Sequence, residues 1–253
     1  MQLQANKKVY FASDQHFGAP TPELSFPREQ KFVAWLDEIK KDCQVLFLLG
    51  DLFDFWFEYK TVVPRGFVRV LGKLAELKDA GVEIHFFVGN HDLWMTDYFE
   101  KELQIPVHHK GMEFDLNGVS FFIAHGDGLG PDDKGYKRMK KVFTHPLSKW
   151  FFRWLHPDIG VKLAQTLSVK NKLISGDEDI HFLGEDKEWL ILYSKRKITE
   201  KPYEYLVFGH RHLPMVLDLN EDKTSKYVNL GDWISYFTFV EFDGKNLELK
   251  SYK

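Results

Sequence analysis

Short apolar runs rich in β-branched and aromatic residues recur along the chain and are typical of buried strands. They cover residues 8–13, 44–50, 83–89, 119–125, 203–209 and 226–231. Each run has six or seven residues, which is the length of a strand and too short for a buried helix. The pattern therefore predicts strands distributed over nearly the whole chain.

Two stretches between the early runs have apolar residues at helical spacing. On one face, residues 27–42 carry Phe32, Trp35, Leu36 and Ile39, and residues 64–81 carry Phe67, Val70, Leu71, Leu74 and Leu77. Both stretches open with proline, and the second closes at Gly81, where a helix end is expected. Residues 237–252 alternate around an Asp-Gly turn and predict a hairpin. This order predicts an α/β fold with a mixed sheet or two packed sheets.

Residues 134–200 depart from this order of strands and helices. Their periodicity is helical, interrupted by Pro146 and Pro157, which are predicted to end helices, and Asp158 is a predicted helix N-cap. We interpret the segment as a helical insertion. The core of the protein would then be formed by residues 1–133 and 201–253.

Composition indicates a globular protein with a substantial core, because 44% of the 253 residues are hydrophobic. Cys43 is the single cysteine and cannot form an internal disulfide, and the first residues lack the apolar core of a secretion signal. No apolar run reaches the roughly 18 residues that span a bilayer. We expect a cytoplasmic protein whose membrane contact, if it has any, is peripheral.

The formal net charge is −3, but charge is unevenly distributed. Residues 134–173 contain ten lysines and arginines and one acid, Asp158, so this region is suited to an anionic partner. Within it, residues 145–157 combine basic residues with Trp150, Phe151, Phe152, Trp154 and Leu155, as a helix at a membrane interface does. The alternative is that these aromatic residues pack on the core and the lysines form a solvated face.

Polar residues of the kinds that bind metals follow five of the predicted strands. They are Asp14 and His16; Asp51 and Asp54; Asn90, His91 and Asp92; His125 and Asp127; and His210 and His212. Ligands of open α/β sheets bind beyond the carboxyl ends of the strands, so these residues are expected to converge. Each has an ordinary alternative, such as a helix N-cap, a turn residue or a hydrogen-bonded core histidine. Five coincidences at strand ends favour one shared site.

The residue types predict a two-metal site. Carboxylate and amide oxygens mixed with imidazole nitrogens, without thiolate, suit Mn²⁺, Fe or Zn²⁺. Two neighbouring ions need a ligand with two oxygens, and Asp51, which follows Gly50 after the most apolar strand, is the predicted bridge. Glycines directly before Asp51, Asn90 and His210 would let the backbone turn sharply toward the ions.

The ordered blocks of these residues resemble the calcineurin-like metallophosphoesterase superfamily. The blocks are DQH (14–16), GDLFD (50–54), GNHD (89–92), HGD (125–127) and GHRH (209–212). The resemblance runs from about residue 9 to 233 and implies a four-layer α/β/β/α sandwich with a two-metal centre. It implies that one ion is held by Asp14, His16, Asp51 and His212, and the other by Asp51, Asn90, His125 and His210.

The resemblance also implies how the site works. Two divalent ions, with Mn²⁺ expected and Zn²⁺ or Fe as alternatives, lower the pKa of a bound water and stabilise charge on a phosphoryl group. His91 is implied to act as general acid or to stabilise developing charge, with Asp92 orienting it. The alternative for His91 is a packed histidine of the loop.

Two longer stretches, residues 49–58 and 125–143, resemble the UDP-2,3-diacylglucosamine pyrophosphatase branch of lipid A synthesis. That resemblance implies hydrolysis to UMP and 2,3-diacylglucosamine 1-phosphate, a helical cap that encloses the acyl chains, and peripheral contact with the inner membrane. The implied substrate contacts are Asn90, Asp133, Tyr136, Ser168, Asn171, Lys172 and His210. The well-known proteobacterial members have arginine where this chain has His91.

Two other functions remain open at this point. One is a soluble nucleotide or phosphodiester hydrolase that uses the same metals. The other is a binding module that keeps the fold without chemistry and docks on lipid or nucleic acid; the complete ligand set, which a scaffold does not need, argues against it. We expect an amphiphilic lipid sugar-nucleotide as the partner and no nucleic acid, and the sequence is compatible with a monomer.

Overall fold

The structure is a computed structural model that describes residues 1–130, 134–163, 166 and 181–253. In these residues eleven strands form two sheets. The strands are β1 Lys8–Ala12, β2 Cys43–Leu48, β3 Glu83–Phe87, β4 Val107–His108, β5 Met112–Leu116, β6 Val119–Ala124, β7 Tyr205–Phe208, β8 Met215–Asp218, β9 Lys226–Asn229, β10 Thr238–Phe242 and β11 Leu247–Ser251. Each predicted strand and the predicted hairpin is confirmed. Four predicted contact residues, Asp133, Ser168, Asn171 and Lys172, lie outside the described residues.

The helices of the described residues differ from the predictions mainly at their starts. They are α1 Pro22–Ile39, α2 Val68–Asp79, α3 Tyr98–Glu102, α4 Lys134–Phe143, α5 Pro146–Arg153, α6 described over 157–163, and α7 Trp189–Glu200. The predicted start of α1 near Pro27 is wrong, because the Thr21 side chain accepts a hydrogen bond from the Leu24 N–H (3.3 Å) and caps the helix earlier. None of the described helices is long and apolar enough to cross a bilayer.

Each sheet contains a set of adjacent parallel strands. The first sheet has the order β11-β10-β1-β2-β3-β4, in which β1 to β4 run parallel. The second has the order β5-β6-β7-β9-β8, in which β6, β7 and β9 run parallel. The loops that follow parallel neighbours leave a sheet at the same edge, so this topology gathers the predicted site residues.

The sheets and helices form four layers. Phe32, Trp35 and Leu74 of α1 and α2 pack on the outer face of the first sheet. Side chains such as Phe11, Phe47 and Phe121 fill the space between the sheets, where their rings stack at centroid distances of 5.0 and 5.9 Å. Leu190 and Ile191 of α7 pack on the outer face of the second sheet. The predicted α/β/β/α sandwich is confirmed.

The connection between β6 and β7 contains α4, α5, α6 and α7. Helices α4 and α5 end at Phe143 and Arg153, before Pro146 and Pro157 as predicted, and the two prolines then stand in the first turns of α5 and α6. The predicted Asp158 N-cap is corrected: the Nδ1 atom of His156 accepts from the Asp158 N–H (3.4 Å), as His145 accepts from Leu147 N–H (3.2 Å). Because α7 packs on the second sheet, the last helix of the predicted insertion contributes to the sandwich.

Candidate active site

The loops after β1, β2, β3, β6 and β7 meet at one end of the sandwich. The Asp14 N–H donates to the Gly50 carbonyl (3.1 Å), and the Gly209 N–H donates to the His125 carbonyl (2.9 Å). The two sheets are joined by the His210 N–H, which donates to Asp14 Oδ2 (2.9 Å). The predicted convergence of these strand ends is therefore present in the structure.

Predicted ligands adopt an unusual backbone conformation. Five of them have positive φ: Asp14 (58°), His16 (45°), Asp51 (53°), His210 (63°) and His212 (54°). For residues other than glycine this region costs energy and is concentrated at functional sites. The surrounding hydrogen bonds hold the loops in this conformation, which turns ligand side chains into the shared space.

One group of side chains surrounds a position beside β1 and β7. Donor atoms of Asp14, His16 and His212 lie within 4.8 Å of one another. The Nε2 atoms of His16 and His212 are 3.2 Å apart, and Asp14 Oδ1 is 3.3 Å from His212 Nε2. A carboxylate oxygen and two imidazole nitrogens at these separations can bind one divalent cation.

A second group lies beside β2, β3 and β6. Donor atoms of Asp51, His125 and His210 lie within 4.8 Å of one another. Asn90 joins them, because its Oδ1 is 3.2 Å from His125 Nε2. These four residues are the set that the sequence predicted for the second ion.

Asp51 lies between the two groups. Its Oδ2 atom is 3.6 Å from His16 Nε2 and 3.5 Å from His125 Nε2, while Oδ1 accepts from the His91 N–H (2.8 Å). One carboxylate therefore faces a histidine of each group. This geometry is what the predicted bridging role of Asp51 requires.

The loops approach so closely that two positions admit only glycine. A Cβ atom on Gly50, whose φ is +87°, would lie 2.6 Å from the Gly89 nitrogen, and one on Gly89 would lie 2.2 Å from Asp51 Oδ1. Any side chain at either position would separate Asp51 from Asn90 and His125. The predicted close approach at these glycines is confirmed.

Three histidines are oriented by partners behind them. The Nδ1 atom of His125 donates to the Leu49 carbonyl (2.6 Å), that of His16 lies 3.4 Å from Asp54 Oδ1, and that of His212 lies 3.3 Å from Asp232 Oδ2. Partners of this kind fix the ring and its tautomer, so that Nε2 would face a bound ion. Asp232 was missed by the sequence analysis, although it follows Gly231 after β9 as Asp51 follows Gly50 after β2.

The expected role of Asp92 is corrected. Its Oδ1 accepts from the Gly89 N–H (2.6 Å) and its Oδ2 from the Leu52 N–H (3.1 Å), so it braces two loops instead of orienting His91. The Nδ1 atom of His91 lies 3.0 Å from the Asp54 carbonyl oxygen, which takes the orienting role. Burial and the nearby Asp51 carboxylate raise the pKa of Asp92 to about 8.

The electrostatics of the site favour added positive charge. Burial raises the pKa of the Asp51 carboxyl, but neighbouring His125 and His91 lower it more, and the net shift is downward. Burial alone would lower the pKa of His125 and of His212. The Asp51 carboxylate beside His125 and the Asp14 carboxylate beside His212 outweigh burial and raise each pKa to about 10. Burial lowers the pKa of His210 to about 4. The carboxylates thus favour positive charge beside them, and divalent cations would supply that charge in place of protons on the rings.

Tyr136 lies at the border between the site and the β6–β7 connection. Its hydroxyl donates to Asp127 Oδ2, and the Lys140 ammonium donates to the same oxygen. Asp127 is buried, which raises its pKa, but the charges of His125 and Lys140 lower it, and the net shift is downward. The structure therefore connects Tyr136 to the loop of His125, where a substrate contact was expected.

The side chains present fit a pair of divalent cations. Oxygen and nitrogen donors form two groups that share Asp51, and Asp14 Oδ1 is buried with no hydrogen-bond partner. Imidazole and carboxylate donors without thiolate match the ions of catalytic rather than structural sites.

The chain matches the calcineurin-like phosphoesterase family over residues 7–214 and belongs to that family. It is an enzyme of the metal-dependent phosphoesterase class.

Two relatives with a more specific name than the family are similar to this chain over almost its full length. The chain is 40% identical to the UDP-2,3-diacylglucosamine hydrolase of Porphyromonas gingivalis, over 96% of this chain and 97% of that protein. It is 27% identical to the UDP-2,3-diacylglucosamine hydrolase of Pseudomonas syringae pv. tomato, over 96% and 95%. The crystal structure of a Thermus thermophilus protein, TT1561, covers 98% of this chain and 99% of its own, with 12% identity and a TM-score of 0.50, which indicates a shared fold.

Proposed function

We propose that the protein hydrolyses the pyrophosphate bond of UDP-2,3-diacylglucosamine, giving UMP and 2,3-diacylglucosamine 1-phosphate for lipid A synthesis. The observation that carries this is the 40% identity, over almost the full length, with a relative that bears this activity in its name. The convergence of the predicted ligand side chains supports the chemistry.

The proposed metal ligands are the two groups described above. Asp14, His16, Asp51 and His212 would hold one divalent ion, and Asp51, Asn90, His125 and His210 the other, with Mn²⁺ as the proposed metal. When bound, such ions supply a water of lowered pKa and neutralise charge on the phosphoryl oxygens.

His91 is the proposed residue for the leaving group. The Nδ1 atom of His91 lies 3.0 Å from the Asp54 carbonyl oxygen, which orients the ring, and the ring is proposed to give a proton to the oxygen that departs or to stabilise its charge. In the reaction a water oxygen bonds to the α-phosphorus, and the bond from that phosphorus to the bridging oxygen breaks. The bridging oxygen leaves with the lipid phosphate, and the other product is UMP.

We propose that residues 134–188 form a cap over the site. The Trp94 indole N–H donates to the Phe143 carbonyl (2.7 Å), and the ring of Phe152 lies 4.6 Å from the rings of both Phe57 and Trp94. The cap is thus fixed to the loops that follow β2 and β3. In this proposal the cap supplies the substrate contacts Tyr136, Ser168, Asn171 and Lys172, beside Asn90, Asp133 and His210 of the core.

The outer face of the cap is proposed to contact the inner membrane from the cytoplasmic side. Trp150, Phe151 and Trp154 are 52%, 66% and 75% exposed, and none of the α5 residues is buried. Basic residues such as Lys149 and Arg153 alternate with these rings. Exposed aromatic rings beside basic residues suit an anionic lipid surface that carries the substrate.

Hydrolysis in ¹⁸O-labelled water tests the proposal. With Mn²⁺ and detergent-dispersed UDP-2,3-diacylglucosamine, we expect UMP that carries one ¹⁸O and lipid phosphate that carries none, measured by mass spectrometry. Label in the lipid phosphate would contradict attack at the α-phosphorus. Turnover of small nucleotide diphosphates without turnover of the lipid would instead support a soluble nucleotide hydrolase of the same family.

A further inference from the structure

Arg211 stands between the two histidines of the GHRH block and is 5% exposed. Its guanidinium makes two parallel hydrogen bonds to the Glu188 carboxylate: Nε donates to Oε2 and Nη2 donates to Oε1, both at 3.0 Å. The side chains of both residues are almost completely buried. Paired, planar bonds of this kind fix orientation as well as distance.

The same ion pair also holds the part of the chain that returns from the cap. The Nη2 atom of Arg211 donates to the His181 carbonyl (2.6 Å), and Glu188 Oε1 accepts from the Leu183 N–H (3.1 Å). Glu188 is the N-cap residue of α7, and α7 packs on the second sheet. The segment 181–188 is therefore connected through one guanidinium to the loop of His210 and His212.

We infer that Arg211 is a positioning residue that couples the placement of the cap's returning segment to the occupation of the metal centre. Cation binding orders His210 and His212, and Arg211, fixed between them, transmits that order to His181 and Glu188. Conversely, a displaced segment 181–188 disturbs the two histidines. The coupling rests on the metal ligands given under the proposed function, but it does not depend on the proposed substrate.

Hydrogen–deuterium exchange of the full chain, with and without Mn²⁺, tests the coupling directly. In the wild type, Mn²⁺ should slow amide exchange in residues 181–188 by about tenfold or more. Arg211→Lys keeps the charge but loses the paired geometry. It should lose most of this Mn²⁺ dependence while Mn²⁺ still slows exchange in residues 209–212. Arg196→Lys, the same change on the exposed face of α7, should behave as the wild type.

A merely structural role would give a different result. Loss of packing alone would speed exchange in residues 181–188 by the same factor with and without Mn²⁺. The inference would be overturned if Mn²⁺ did not change amide exchange of residues 181–188 in the wild type. It would also be overturned if Mn²⁺ slowed this exchange in Arg211→Lys as much as in the wild type.

A second variant covers the case in which an unpaired charge unfolds the protein. The double change Arg211→Met with Glu188→Leu removes both charges, and it should fold and also lose the Mn²⁺ effect at 181–188. If the double variant keeps the effect, the ion pair is not the connection. In both variants we expect KM for UDP-2,3-diacylglucosamine to rise more than kcat falls. Because exchange needs no lipid, it can succeed or fail independently of the proposed substrate.

Discussion

The loops that bear the proposed metal ligands and the proposed cap belong to one chain but are held in place differently. Asp14 and His16 are fully buried and joined to other loops by backbone hydrogen bonds. In contrast, α5 of the cap has no buried residue and touches the sandwich mainly through Phe152. From this difference we expect substitutions in the loops to impair hydrolysis of every substrate, whereas substitutions on the outer face of the cap should impair hydrolysis of the lipid substrate alone.

The largest effect is expected from Asp51→Asn. Removing the charge that faces both groups should lower hydrolysis of the lipid and of a soluble chromogenic phosphodiester by roughly 10²–10³-fold or more. Steady-state rates with saturating Mn²⁺ measure the loss, and circular dichroism should show an unchanged fold. The control Asp79→Asn, on the exposed end of α2, should keep full activity. Substantial activity on either substrate would contradict the metal account.

Asp232→Asn should have the next largest effect. Its Oδ2 lies 3.3 Å from His212 Nδ1, so the change weakens the orientation of one proposed ligand. Partners behind a metal ligand typically contribute 10–100-fold in affinity or activity, and we expect the half-activating Mn²⁺ concentration to rise by about that factor. Activity measured as a function of Mn²⁺ concentration gives this value, and the rise should be the same for both substrates. An unchanged metal requirement would show that Asp232 has no such role.

Two exposed rings of the cap test the other side of the comparison. Trp150→Ser combined with Phe151→Ser should raise KM for the lipid substrate by tenfold or more, since each ring is worth about 1.5–3 kcal/mol when it leaves water completely and about 1.4 kcal/mol corresponds to a factor of ten. Binding to anionic vesicles should weaken in parallel, whereas the soluble phosphodiester should be cleaved as before. Leu24→Ser, which alters a residue on α1 that is 66% exposed, is the matched control. Equal effects on both substrates would remove the distinction between cap and sandwich.

The smallest effect concerns the sandwich alone. His85 is buried on β3, and its Nδ1 lies 3.0 Å from Nε2 of His108 on the edge strand β4. Burial lowers the pKa of both rings, although Glu83 beside His85 opposes this. At a pH between the usual histidine pKa and these lower values, the two rings bind more protons in the unfolded chain than in the folded one. Their contribution to stability should therefore fall as pH drops below about 6.5.

Urea denaturation at pH 7.5 and 5.5 measures this dependence. His85→Gln should reduce the loss of stability between the two pH values, whereas His181→Gln, at an exposed position outside the sheets, should not. A pH dependence that is unchanged in His85→Gln would mean that other groups dominate it.

The sequence predicted the strand ends and their ligands because both signals are local. An apolar run that stops at a Gly-Asp or Gly-Asn pair identifies a strand and its site residue together, even though Asp14 and His210 meet across 196 residues. Side chains behind the ligands carry no such signal. The roles of Asp232 and of the Arg211–Glu188 pair depend on contacts between segments that are distant in sequence. Asp92 accepts hydrogen bonds from backbone N–H groups, and no sequence motif predicts such contacts.

Short elements were missed for a related reason. β4 has two residues, and β5 alternates polar and apolar residues on a half-exposed edge, so neither forms an apolar run. The start of α6 was misread because histidine, which is an uncommon helix N-cap, takes that position before Pro157, as it does before Pro146.

Electron paramagnetic resonance of the Mn²⁺-loaded protein, with metal content measured on the same sample, tests the central claim most directly. Two ions that share the Asp51 carboxylate should give two Mn²⁺ per chain and a spin-coupled spectrum, and Asp51→Asn should abolish the coupling. One ion per chain, or two ions with uncoupled spectra in the wild type, would contradict the account.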